Sequence, residues 1–73
     1  MNFFAVRLKE LRKENKIKQK ELAEYLNMSV RGYQCYEYGR CYPDVPGLMA
    51  LAERFDVSLD YLMGRTDKRE INR

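Results

Sequence analysis

The chain has 73 residues, 45% of them hydrophobic and 34% charged, with a net charge of +3. That suffices for one small domain, whose core is marginal unless something staples it or it packs very regularly. There is no histidine, which excludes zinc sites that need imidazole, and Cys35 and Cys41 form no CxxC pair, so neither a metal nor a cofactor is expected. Two free thiols in a reducing cytosol are the expected state of the cysteines; a disulfide or redox switch is the alternative. No segment approaches the roughly 20 apolar residues of a membrane span. The N-terminal MNFFAVRLKE meets charge too soon for a signal peptide. A soluble, cytoplasmic protein with no membrane partner is expected.

Charge is unevenly placed. Residues 1–20 carry Arg7, Lys9, Arg12, Lys13, Lys16, Lys18 and Lys20 against only Glu10 and Glu14. Residues 43–64 carry Arg54 against Asp44, Glu53, Asp56 and Asp60. One pole would attract an anion and the other would not; a solvated charged face is the plainer account.

In chain order, Phe4, Leu8 and Leu11 recur at helical spacing, which predicts an amphipathic helix over about 3–15. Asn15-Lys16 stops it, and Ile17 is an apolar anchor in the connection. Leu22, Ala23 and Leu26 mark a short second helix over about 19–26. Lys18, just before it, is not an ordinary cap, but Lys16, Lys18 and Lys20 around a helix N-terminus suit an anion. Asn27 tolerates a left-handed backbone and ends that helix; Ser29 caps the next, which runs to about Tyr38 with Gly39 as its stop. After the loop 40–43, Asp44 caps a fourth helix with Pro46 in its first turn. Its expected buried positions are Val45, Leu48, Met49, Ala52 and Phe55. Asp56-Val57-Ser58 turns the chain, and Ser58 caps a fifth helix lined by Leu59, Leu62 and Met63 and stopped by Gly64. The tail RTDKREINR is polar and expected to fray or to meet a partner.

The connection between helices two and three is only about three residues long, which forces a large crossing angle. Ala23 is the small residue at the contact, with Leu26, Met28, Tyr33 and Tyr36 closing the wedge. At 100° per residue, Arg31, Gln34, Cys35 and Tyr38 share one side of helix three, with Val30 at its margin. Tyr33, Tyr36 and Glu37 lie opposite. The free side therefore carries a guanidinium, an amide, a thiol and a phenol. Arg and Gln read guanine and adenine through paired hydrogen bonds, and Val packs on a thymine methyl.

The run Gln19-Lys-Glu-Leu22-Ala23-Glu-Tyr-Leu26-Asn-Met28-Ser29, followed by Tyr36-Glu37-Tyr-Gly39, Pro43 and Ser58-Leu59-Asp60-Tyr61-Leu62-Met63-Gly64, resembles the Cro/repressor (XRE) helix-turn-helix family. The resemblance covers roughly residues 3–64. It implies an all-α, compact five-helix bundle of the lambda repressor-like kind over residues 1–64, with 65–73 a polar C-terminal tail. It also implies a DNA-binding transcriptional regulator that acts as a homodimer on a pseudo-palindromic operator. Three departures from the family pattern stand out. Asn27 replaces the usual Gly, Lys18 the usual Ser or Thr, and Tyr33, with Gly32 beside it, the usual Ile or Val. Gly inside a helix costs about 1 kcal/mol relative to Ala; the expectation is that Gly32 makes room for the Tyr33 ring.

On this resemblance Val30, Arg31, Gln34 and Cys35 are the candidate base contacts. Lys18, Gln19, Lys20, Ser29, Tyr38, Arg40 and Tyr42 are the candidate backbone contacts, Tyr42 alternatively packing against Pro43. A thiol bonds weakly, so Cys35 would supply shape. Gln19 would bond a phosphate and brace the recognition helix. Glu37 lies on the buried side and needs a partner; the resemblance pairs it with Arg12 as a structural ion pair. Tyr61, Met63 and the tail fall where this family often dimerises, ordinary core closure being the alternative.

The leading reading is sequence-specific recognition of double-stranded DNA, with repression as the output. The alternative is an antitoxin-like or co-regulator protein-interaction module on the same fold. An enzyme is rejected: no nucleophile–base pair or phosphate loop is evident, and Asp56 and Asp60 sit in cap and first-turn positions. No small-molecule ligand is implied.

Overall fold

The computed structural model describes residues 2–71. It contains five helices: α1 Phe3–Glu14, α2 Gln19–Tyr25, α3 Val30–Glu37, α4 Val45–Phe55 and α5 Leu59–Leu62. Four start on a side-chain cap. Asn2 Oδ1 accepts from the Ala5 N–H at 3.1 Å, Ser29 Oγ from Gly32 at 3.1 Å, Asp44 Oδ1 from Gly47 at 2.9 Å and Ser58 Oγ from Tyr61 at 3.0 Å. Only α2 lacks one. A lysine side chain has no acceptor, so half of a capping box remains, with the Glu21 carboxylate accepting from the Lys18 N–H at 3.5 Å.

All five helices stop in the same way. A left-handed residue follows each last turn: Lys16, Asn27, Gly39, Asp56 and Gly64, with φ of 56°, 57°, 77°, 54° and 80°. The next residue then donates its N–H back into the helix: Ile17 to Arg12 O, Met28 to Ala23 O, Arg40 to Cys35 O, Val57 to Ala52 O and Arg65 to Asp60 O, all at 2.8–3.0 Å. These are Schellman closures, which satisfy carbonyls that would otherwise be orphaned. In three of them the donor is apolar. Ile17 and Val57 are buried and Met28 packs against the core, so each stop also pins the chain inward.

The core gathers Phe4, Leu8, Leu11, Ile17, Leu22, Ala23, Tyr33, Leu51, Ala52, Phe55, Val57, Tyr61 and Leu62. Leu26, Met28 and Tyr36 pack on it around the α2–α3 junction. Helix α4 is phased differently from expectation. Leu51 is fully buried, whereas Val45 and Met49 are 64% and 52% exposed. Apolar residues at 45, 48, 49, 51, 52 and 55 cover more than half of this helix, so spacing alone does not choose the inward stripe. Helix α5 also differs: Tyr61 is buried and Leu59 is exposed.

At Gly32 a side chain would crowd the preceding turn, meeting Met28 Cε at 3.1 Å and Ser29 Oγ at 3.2 Å. The glycine relieves the turn before α3. The tail does not fray over its described part. Arg7 Nη1 donates to Tyr61 O at 2.6 Å and to Thr66 O at 2.5 Å, and its Nη2 pairs with Asp67 at 2.8 Å. Arg69 pairs with Glu14 at 3.0 Å, and its carbonyl accepts from Ser58 N at 2.8 Å. Both guanidiniums lie over the Tyr61 ring, at 4.1 and 5.3 Å from its centroid. Residues 72–73 of the expected tail lie outside the described residues. Among the described residues, no helix is long and apolar enough to cross a membrane.

Candidate nucleic-acid interface

Helix α3 presents two chemically distinct sides. Inward, Tyr33 is fully buried and Glu37 is 7% exposed. The Glu37 carboxylate accepts four hydrogen bonds: Oε2 from Arg12 Nε at 2.5 Å and from the Tyr33 hydroxyl at 2.5 Å, Oε1 from Arg12 Nη2 at 3.1 Å and from Gln19 Nε2 at 3.2 Å. These fill the lone pairs of the ionised group. Burial alone would push the carboxyl up; the bonds from Arg12, Tyr33 and Gln19 outweigh it and hold it below its ordinary range. Arg12 is raised chiefly by its bond to Glu37, against the opposing effect of burial. The Tyr33 hydroxyl is pushed strongly up, first by burial and then by Glu37.

The same carboxylate orders the outer surface. An ionised carboxylate only accepts, so the Gln19 amide nitrogen must face it. The Gln19 carbonyl is thereby turned to accept from Gln34 Nε2 at 3.0 Å. Gln34 keeps its carbonyl oxygen and second N–H for another partner, the donor–acceptor pair that matches an adenine edge. The chain Arg12–Glu37–Gln19–Gln34 thus runs from the domain interior to the exposed face.

On that face Val30, Arg31 and Ser29 are exposed, and Gln34 and Cys35 are half-buried. The Ser29 hydroxyl already holds the α3 cap. Lys18 and Lys20 are exposed beside half-buried Gln19 at the start of α2. Tyr38, Arg40 and Tyr42 are exposed beyond the α3 stop. Of the two roles expected for Tyr42, packing is present, but on Phe4, with ring centroids 5.5 Å apart.

One residue the sequence reading passed over joins this surface to α1. Asn2 caps α1 and also donates Nδ2 to Gly39 O at 3.3 Å, at the stop of α3. An Asn directly before an apolar-periodic run is the signal that could have found it. The basic pole is also smaller than the sequence suggests. Arg7 and Arg12 are held internally, which leaves Lys9, Lys13, Lys16, Lys18 and Lys20 exposed.

The helix-turn-helix family model matches residues 8–62. The chain belongs to the XRE-type helix-turn-helix family. This helix-turn-helix chain is 38% identical over 64 residues to YobD of Bacillus subtilis, an HTH-type transcriptional regulator, an alignment spanning 88% of this chain and 57% of that protein. It is 38% identical over 66 residues to ImmR of the same organism, another HTH-type transcriptional regulator, spanning 90% and 52%. The crystal structure of a transcriptional regulator from Listeria innocua superposes with a TM-score of 0.81 at 39% identity, covering 84% of this chain and 57% of that one. The helix-turn-helix chain therefore spans about half the length of the relatives it matches.

Proposed function

We propose that this chain is a DNA-binding domain of a transcriptional regulator, which lays α3 in the major groove of a pseudo-palindromic operator and represses by occupying it. The single observation that supports this most is the Gln34 amide, held by Gln19 and through it by buried Glu37, beside the exposed guanidinium of Arg31. Donors and acceptors held in place from behind, on a helix too short to hold itself, are what base-edge recognition requires. Arg31, Gln34, Val30 and Cys35 read bases in this proposal. Lys18, Gln19, Lys20, Ser29, Tyr38, Arg40 and Tyr42 hold the phosphate backbone.

Dimerisation belongs to the same proposal. Buried Tyr61 is unavailable for it, but Val45, Met49 and Leu59 are exposed on neighbouring helices. Two copies on one side of the duplex would set their recognition helices about 34 Å apart. Exposed apolar surface also favours the second reading, a module that holds another protein.

The test is selection of bound sites from random duplexes at physiological salt. An enriched inverted repeat supports the proposal; no enrichment rejects it. Salt separates the two readings. DNA affinity should fall steeply with salt, and Lys18→Ala and Lys20→Ala should each reduce the log–log slope by about 0.9. Protein capture should respond far less.

A further inference from the structure

Two thiols lie at the edge of the proposed DNA surface. Cys35 is half-buried on α3, and Cys41 is exposed in the loop that follows. The α3 stop folds the chain back over its own last turn. Gly39 is left-handed, its N–H reaches Tyr36 O at 3.3 Å, and Arg40 N–H reaches Cys35 O at 3.0 Å. Cys41 is the next residue, so the closure returns it to the turn that carries Cys35. Both thiols therefore sit at the same end of α3; lost hydration first, and then the neighbouring Cys35, push the Cys41 thiol up. Tyr36 and Asp44 complete the cluster, the Tyr36 hydroxyl being pushed up by burial and then by Cys41, Asp44 and Cys35.

We propose that Cys35 and Cys41 are a dithiol modification site, oxidised by small-molecule disulfides to an intrachain bond that weakens operator binding. The second half rests on the DNA reading above. In the first step the Cys41 thiolate attacks one sulfur of a disulfide R–S–S–R, forming Cys41–S–S–R and releasing R–S⁻. Cys35 then loses its proton, and its sulfur attacks the Cys41 sulfur, forming the protein disulfide and expelling a second R–S⁻. The protein gives up two electrons and two protons, and the small disulfide becomes two thiols. A thiol held above its ordinary range is a poor thiolate, so the pair answers a sustained oxidising poise rather than a brief one. A disulfide needs close Cα atoms and a set dihedral, so forming it must pull on residues 40–42. Those residues carry Arg40 and Tyr42, and the Cys35 thiol on the outer face is consumed.

The test incubates the reduced chain with glutathione mixtures of increasing oxidised fraction, then quenches and maps it by mass. Trypsin cuts at Arg40, between the cysteines, so an intrachain bond leaves two peptides joined. The expected product is about 2 Da lighter than the reduced chain. Its affinity for the selected operator should be about tenfold or more weaker, with recovery on reduction. Reduced Cys41→Ser should bind as the parent does and form no intrachain bond. Stable glutathione adducts on both thiols, or a covalent two-chain product, would overturn the site. Oxidised protein that keeps full affinity would overturn its effect on DNA. A reduced chain that binds no duplex would defeat the functional reading instead, and the mass map would still decide the disulfide.

Discussion

Glu37 shows how one buried charge can serve both fold and surface. Four donors from α1, α2 and α3 converge on it, so the carboxylate fastens three helices at once. Removing it strands the Arg12 guanidinium, whose side chain is only 12% exposed. Glu37→Ala should therefore cost about 3–5 kcal/mol in chemical denaturation. A midpoint equal to that of the parent would show that the carboxylate carries no stability. Tyr33→Phe keeps the ring and deletes one bond to a charged acceptor, so about 1.5–3 kcal/mol should be lost. The pH dependence follows from the two shifts. Glu37 is lowered, so its stabilisation is present above the ordinary carboxyl value of about 4.3 and fades as pH falls through the lowered value. Tyr33 is raised, so its contribution is present below the ordinary phenol value of about 10 and fades as pH rises past it. Denaturation midpoints should be level from about pH 4.3 to the ordinary thiol value of about 8.5, above which the raised Cys41 thiol and then the raised Tyr36 and Tyr33 hydroxyls lose their contributions. Tyr33→Phe should lessen the decline above about pH 10, and an unchanged decline there would place its source in the other groups.

At the scale of the elements, five identical stops give a test of how much each terminal residue matters. Gly64 and Lys16 hold equivalent left-handed positions with φ of 80° and 56°. Left-handed backbone costs about 1–2 kcal/mol for an ordinary side chain, against which Gly loses about 0.5–1 kcal/mol of entropy on folding. Lys16→Gly should thus stabilise the chain by about 0.5–1 kcal/mol. Gly64→Ala should do the reverse and more, because a Cβ there would lie 2.2 Å from Phe3 Cβ. Overpacking adds about 1–3 kcal/mol to the backbone cost, and a thermal melt showing both variants shifted the same way would contradict the argument. Gly64, Gly39 and Asn27 announce their stops in the sequence, as residue types that accept this conformation. Asp56 does so more weakly and Lys16 not at all, although Asn15-Lys16 and Asp56-Val57-Ser58 were still recognisable as breaks. Helices α1 to α3 were legible because their apolar residues are few and spaced one turn apart. The inward side of α4 was not, because its abundant apolar residues fit several phases, and contact with the other helices selects Leu51 over Val45 and Met49. The candidate site was legible in its residue types; the link from Glu37 through Gln19 to Gln34 was not, because it depends on which way an amide turns.

Over the whole molecule, the C-terminal segment is the part whose role the sequence conceals. RTDKREINR reads alike whether it is solvated or docked, since it has neither apolar period nor turn signal. What docks it is a cation on α1, 54 residues earlier in the chain than its first acceptor, Tyr61 O. Arg7 also meets Thr66 O, Asp67 and the Tyr61 ring, so a single side chain joins the first helix to the last. Two kinds of interaction compete to explain this anchoring. The Asp67 side chain is fully exposed, and an exposed ion pair is worth about 0–1 kcal/mol. The bonds to carbonyls are made by a guanidinium 14% exposed, and each such bond to a charged donor is worth about 1.5–3 kcal/mol. The carbonyls should therefore dominate. Asp67→Ala should stay within about 1 kcal/mol of the parent, whereas Arg7→Ala should lose about 2–4 kcal/mol and speed amide exchange from residue 58 onward. Equal losses in the two variants would mean that the ion pair, rather than the carbonyls, holds the segment in place.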